Sequence, residues 1–226
     1  MSKRNPVAEM DDELEVDDVE LDDDPDLLGP PDPAWRRRTA IEMVVSGVLG
    51  LIASFVLSIE ALTLAGDPKA TASCDLNEVI SCTKVAEHWA ASLFGFPNAY
   101  LGIAAESVVL TVAVALLGGV VFPRWFMRIA QVIYTLGLIF AWWLFGMAYF
   151  AIGALCPWCL LITVTTTLVW AGLTRINLRE RVISLPGGLG PWGRRFVRDG
   201  NDWFVTIAVL VVLAGLVMVK YGYTLF

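Results

Sequence analysis

Apolar and polar positions alternate along this chain on a long scale: five extended apolar runs are separated by polar segments. The runs cover about Ile41–Ala65, Ala99–Val121, Ile129–Ile152, Ala154–Leu173 and Trp203–Val219. Each approaches the roughly 20 residues that a helix needs to cross the hydrocarbon core of a bilayer. The expected fold class is all-α integral membrane, a four-helix transmembrane bundle over 39–173 and a fifth transmembrane helix over 203–226. Between the first two runs, Asn77 to Phe94 spaces Val79, Ile80, Val85, Trp89, Leu93 and Phe94 among small and polar residues. That spacing predicts a short amphipathic helix lying on the membrane surface as a lid over the bundle. Gly95-Phe96-Pro97-Asn98 breaks it and turns the chain into the second run. The segment 174–202, with Leu185-Pro186-Gly187-Gly188 and several arginines, reads as a connector without chemistry.

Composition strengthens the membrane reading. The chain is 57% hydrophobic and only 17% charged, with a mean hydropathy of +0.65; soluble domains carry about 25% charged residues. The net charge of −7 is a local property, because 13 of the 23 acidic residues fall before position 33. Residues 1–38 are expected to be a disordered acidic tail. No cleavable signal peptide is expected, because this start has no apolar core. No nucleic-acid partner is expected either.

Charge also orients the chain. With the N-terminus in the cytoplasm, thirteen Lys and Arg residues lie on that side, among them Arg36, Arg37, Arg38, Arg124, Arg128, Arg175 and Arg179. Only Lys69, Lys84 and Lys220 lie on the other side. This is a strong positive-inside bias. It places the loop 66–98, the short turn before the fourth run and the C-terminus outside. The four cysteines, Cys74 and Cys82 in the loop and Cys156 and Cys159 at the turn, then all face a compartment where disulfides persist.

The spacing of these cysteines allows three readings. Two structural bridges are the bland one, although a C-x-x-C bridge closes a very small loop and constrains little. A four-thiolate zinc site normally wants two C-x-x-C knuckles, and Cys74-x7-Cys82 makes a poor second one. The third reading is a relay, in which a mobile loop pair hands electrons to a fixed pair at the head of a membrane helix. Cys156 at that helix N-terminus feels the positive end of the helix dipole, which favours thiolate.

Cys74-Asp75-x6-Cys82, Gly95-x-Pro97-Asn98-x3-Gly102 and Cys156-x-x-Cys159, in this order, resemble the vitamin K epoxide reductase family over about Met43–Leu173. The other quinone-linked bacterial thiol oxidase, disulfide bond formation protein B, carries its two pairs in the reverse order. The resemblance implies a bacterial stand-alone type in the inner membrane, without a fused thioredoxin-like domain. It would oxidise a separate DsbA-like thioredoxin-fold protein and reduce a membrane quinone, menaquinone or ubiquinone, with no metal. Cys74 and Cys82 would be the shuttle pair, Cys82 would attack Cys156, and Cys159 would donate to quinone. Asn98 would hydrogen-bond a quinone carbonyl, with a helix N-cap as its competing role. Vertebrate members have a small polar residue where this chain has His88 and a tyrosine where it has Thr163. Both departures bear on vitamin K epoxide as a substrate and leave quinone reduction, which rests on the cysteines.

His88, the single histidine, and Glu106, a carboxyl inside the second run, are candidate proton relays. Glu60 lies near the wet edge of the first run. Trp142, Trp143, Phe145, Tyr149 and Phe150 are candidates to line a quinone pocket, where aromatic residues are in any case common.

Overall fold

The computed structural model describes residues 32–67, 69–183 and 189–225. Among them the fold is all-α, and five helices are long and apolar enough to cross a membrane. They are α1 (Pro33–Gly66), α3 (Ala99–Leu117), α4 (Arg124–Gly146), α5 (Pro157–Arg179) and α7 (Asn201–Leu225). A short α2 (Cys82–Glu87) and a 3-10 turn (Trp89–Ser92) lie between α1 and α3, and α6 (Leu189–Arg198) lies between α5 and α7.

Helix α1 packs against both α3 and α5, and α4 against α5. Small residues make these approaches close: Ser46, Gly47, Gly50, Ala53, Ser54 and Ser58 form the buried stripe of α1. Gly102 of α3 sits against Ser54, and a Cβ on Gly172 of α5 would stand 2.7 Å from Met43 Cγ. Lipid tails give helices no hydrophobic reason to associate, so close van der Waals packing at small residues does that work. The opposite faces are apolar and uncovered, as with Val132 and Ile139 on α4 and Phe204, Val211 and Val219 on α7. Water would penalise such patches, whereas hydrocarbon accepts them.

One end of the bundle is held by charge. Arg36 pairs with Glu180 at 2.8 Å and donates to Val120 O at 2.7 Å. Arg128 donates to Val182 O at 2.7 Å. Arg175, 3% exposed, lies between Glu42 of α1 and Asp202 of α7, with its guanidinium 4.2 Å from the ring centre of Trp203. The far end of α7 is fastened separately, where Lys220 donates to Tyr149 O and stands 4.3 Å from the Tyr149 ring.

Several expected boundaries move. Met1–Pro31 lies outside the described residues, but Pro33–Arg38, expected within the disordered tail, are the first turns of α1. Asp32 caps them by accepting from Ala34 N at 2.9 Å, and Pro33 occupies the first helical position, where its missing N–H costs nothing. Helix α5 runs past Leu173 to Arg179, so Arg175 is a buried helical residue rather than a loop charge. The connector contains α6, while 185–188 lie outside the described residues. The lid helix expected over Asn77–Phe94 is two pieces, because His88 is extended (φ −74°, ψ 138°) and separates α2 from the 3-10 turn. The fourth membrane helix starts at Pro157, not Ala154. Before it, α4 loosens into a π-helical turn, Met147–Ile152, which ends on Gly153 in the left-handed region at φ +71°.

Candidate redox site

All four cysteines gather at the end of the bundle opposite the arginines. Polar bonds give the loop between α1 and α3 its shape. Glu60 accepts from both the backbone N–H and the hydroxyl of Ser73, fixing the residue before Cys74 to α1. Thr83 receives Ala72 N at 2.9 Å and donates its own N–H and hydroxyl to Asp75. Asn77 Oδ1 accepts from Val79 N and Ile80 N, turning the chain. Ser81 then caps α2 by accepting from Lys84 N at 3.2 Å. Cys74 and Cys82 come together in a disulfide with Cα atoms 5.8 Å apart.

A main-chain clamp joins this loop to the second pair. Leu155 N donates to Val79 O at 2.7 Å and Ser81 N donates to Leu155 O at 3.1 Å, an isolated parallel bridge between Ile80 and Leu155. The residue after each clamped segment is a cysteine. The register therefore puts Cys82 Sγ 3.1 Å from Cys156 Sγ, although 74 residues separate them. The loop disulfide and the first thiol of the inner pair are in contact.

Cys156 caps α5, its sulfur accepting from Cys159 N at 3.3 Å. Cys156 and Cys159 are free thiols, the first buried and the second half-buried. The Cys159 thiol donates to the Cys156 sulfur, and this bond, with the backbone N–H groups of Cys159 and Trp158, outweighs burial and holds Cys156 below the usual thiol range. Burial opposes the Asp75 carboxylate, but hydrogen bonds from Thr83, Ser81 and Cys82 together prevail and leave its pKa below the usual value. The sulfurs of Cys74, Cys82 and Cys156 lie within 4.8 Å of one another. With two of them joined to each other they form an exchange geometry rather than a set of thiolate ligands.

Cys82, Cys156 and Cys159 stand at the head of a cavity of about 950 Å³ that runs down between α3, α4 and α5. Its walls are mostly apolar, with Leu101, Ala105 and Val109 on one side and Ile133, Phe140 and Phe145 on another. The few polar groups reaching it include Asn98, Thr163, Glu106, Tyr134 and Thr166. A large apolar hollow with a handful of placed polar groups is the usual form of a small-molecule site.

Asn98 does not cap α3 with its side chain. Its Nδ2 donates back to Ala90 O at 2.6 Å, while its buried Oδ1 has no partner. One N–H and one acceptor thus stay available in the cavity. His88 is not part of the cavity lining: its Nδ1 accepts from Ala90 N at 3.3 Å and its ring meets Trp89. Of the five aromatic candidates on the third membrane segment, Phe145 lines the cavity. Trp142 donates to Thr167, Trp143 meets Trp89, Tyr149 lies under Lys220, and Phe150 is 81% exposed. Sequence reasoning missed the Val79–Ser81/Leu155 clamp, the Asp75–Thr83 brace and Tyr134. The only local sign of the brace was the polar pair itself, and the clamp had none.

Residues 41–173 match the model of the vitamin K epoxide reductase family, and this is more than half of the chain. The chain belongs to that family. The match contains both cysteine pairs, Asn98 and Glu106, whereas α6 and α7 lie beyond it. Comparison with curated proteins gives no significant match. Membership of the vitamin K epoxide reductase family makes this multi-pass membrane protein one of a group of oxidoreductases whose chemistry is thiol–disulfide exchange, in general associated with quinones.

Proposed function

We propose that this protein is a quinone-linked thiol oxidase that draws electrons from a separate thioredoxin-fold protein in the periplasm of a bacterium. The observation that carries the reading is the 3.1 Å contact between Cys82 Sγ and Cys156 Sγ at the head of an apolar cavity. The cavity has the volume and lining that a lipid-soluble ring with two carbonyl groups needs. Asn98 would hold one carbonyl oxygen through its free N–H, and a quinone bound there would accept two electrons.

The chain's own steps follow from thiol–disulfide exchange, in which a thiolate attacks a disulfide sulfur and another thiolate leaves. The partner's dithiol reduces the Cys74–Cys82 bridge and is itself oxidised. Cys82 then attacks Cys156 of an inner disulfide, and Cys159 leaves. Cys74 resolves the resulting Cys82–Cys156 bridge, restoring Cys74–Cys82 and leaving the inner pair reduced. That last arrangement, loop pair bridged and inner pair free, is the one described above. The inner sulfurs join again as two electrons pass out through Cys159 into the cavity.

The test uses the full chain in detergent with a menaquinone or ubiquinone analogue and a reduced thioredoxin-fold protein or dithiothreitol as donor. Quinone absorbance should fall with wild type and stay flat with Cys159→Ala. Equal loss in both would remove the enzyme reading and leave a membrane protein with two structural bridges. Cys156→Ala should stall electrons at the loop pair.

A further inference from the structure

Glu106 lies about midway along α3 and is 3% exposed. Three other helices close around it. Gly47 and Gly50 of α1 leave the room that the carboxyl occupies: a Cβ on Gly50 would stand 2.9 Å from Glu106 Cδ and Oε1 and 3.0 Å from Thr165 Oγ1 of α5. From α4, the Tyr134 hydroxyl donates to Oε1 at 3.1 Å, while Oε2 has no partner. Thr166 of α5 lies beside Tyr134 on the cavity wall. The titratable group facing Glu106 is therefore Tyr134; α1 presents glycines and α5 presents threonines. Among the described residues no Lys, Arg or His bonds it. A carboxyl at membrane depth without a cation beside it is costly as an anion, so its resting form is the acid. Glu106, Tyr134 and Thr166 line the same cavity as Cys159 and Asn98.

Two considerations give that acid a use. Cys156 caps α5 and its sulfur accepts from Cys159 N at 3.3 Å, a setting that favours thiolate, and a thiolate–thiol pair would deliver two electrons and one proton where a quinol needs two. The spacing also fits. Asn98 and Glu106 are eight residues apart in sequence, or about 12 Å along a helix. The two oxygens of a para-quinone are about 5 Å apart by standard bond lengths, and a hydrogen bond of about 2.9 Å at each end brings the span to about 11 Å.

We infer that Glu106, oriented by Tyr134, is the proton donor to the quinone oxygen remote from Asn98. This rests on the quinone-linked reading above. In the balanced step the Cys156 and Cys159 sulfurs join and two electrons leave them. One proton comes from the pair and one from Glu106, and the carboxylate then recovers a proton from water. That proton replaces the one released when the inner pair became half-ionised.

The test compares wild type, Glu106→Gln, Tyr134→Phe and Cys159→Ala in nanodiscs, all pre-reduced and mixed with a short-chain menaquinone analogue. Glu106→Gln keeps an acceptor for Tyr134 in nearly the same volume. Expected is a slowing of single-turnover quinone reduction by about a hundredfold, the low end for loss of a positioned acid. Exchange between the loop pair and the inner pair, followed by thiol labelling, should be unchanged. The wild-type rate should fall at high pH as Glu106 ionises, and Glu106→Gln should lose that limb. In quinone-free protein, infrared spectroscopy should show a protonated-carboxyl band that Glu106→Gln removes. A Glu106→Gln rate within about threefold of wild type with the same pH profile, or equal slowing of both steps, would overturn the inference. If Glu106→Gln does not fold, Tyr134→Phe decides: a displaced high-pH limb supports the donor, and an unmoved one overturns it. Wild type that fails to reduce quinone, like Cys159→Ala, would instead remove the underlying reading.

Discussion

The two ends of this bundle are held in different ways. At one end, Arg36, Arg128 and Arg175 tie four helices together through buried or half-buried ion pairs and backbone carbonyls, with Gln131 and Asn177 bonded at 2.8 Å just inside. At the other, a loop without long helices is fixed by a disulfide, two main-chain hydrogen bonds and short polar braces. The first arrangement needs both partners of each charge at once, because a lone buried ion is heavily penalised. The second lets individual bonds open and reform while the rest holds. A site that must pass covalent bonds from one sulfur to the next needs the second kind of support, seated on the first.

That contrast can be broken most severely at the sulfurs. Cys159→Ala should leave helix content and thermal unfolding close to wild type while quinone reduction falls to background in the absorbance assay. Retained activity would show that the inner pair is not the exit for electrons. Next in size, Arg175→Ala strands Glu42 and Asp202 and removes the contact to Trp203, so it should destabilise the protein by about 3–5 kcal/mol. Thermal unfolding in detergent measures this, and the rate of Cys82–Cys156 exchange in the folded fraction should barely move. A change in exchange with no loss of stability would mean that the two ends are not separable.

Smaller effects sharpen the comparison at the cysteine end. Leu155→Pro removes the N–H that meets Val79 O, leaving a carbonyl to find water at a cost of about 1–3 kcal/mol. Loop-to-inner exchange should slow by about tenfold, read by trapping the Cys82–Cys156 mixed disulfide in a Cys74→Ala background, which lacks the resolving thiol. An unchanged rate would show that the disulfide alone sets the register. The mildest test uses acid. The folded pKa of Asp75 is below its usual value, so its brace contributes stability above the unfolded value and loses it as pH falls through the folded one. Hydrogen exchange at the Thr83 N–H should therefore stay protected through pH 4 and rise only below that. Loss of protection at a higher pH would contradict the shift.

The same two ends differ in how much of them could be read from sequence. Five apolar runs and two cysteine pairs announce a membrane protein with redox chemistry, because length, hydropathy and C-x-x-C spacing are local properties. The start of α1 was also legible in Asp32-Pro33, a capping residue before a proline, but the arginines after it drew the boundary forward. Arg175 looked like one more loop charge, since nothing in its neighbours shows that Glu42, 133 residues earlier, would meet it. Val79, Ile80, Val85 and Trp89 suit one lid helix by period, yet Val79 and Ile80 are used for strand pairing with Leu155. Asn98 has the residue type of a cap and spends its amide on Ala90 instead. At Arg175 and in the lid, a long-range bond prevails over a local preference.

The parallel bridge of Ile80 and Leu155 has one more consequence, for what kind of change this site tolerates. Its bonds use main-chain atoms, so the half-buried side chains at 79 and 80 can vary more than Leu155, which is buried in the cluster with Phe145, and the sulfurs will still meet. What cannot vary is the count of residues from the bridge to each cysteine. In extended chain a shift of one position turns a side chain to the opposite face. A single glycine inserted between Ser81 and Cys82 would preserve every residue of the site and still separate Cys82 from Cys156. The contact between Cys82 and Cys156 is specified by distance along the chain more than by the identity of what fills it.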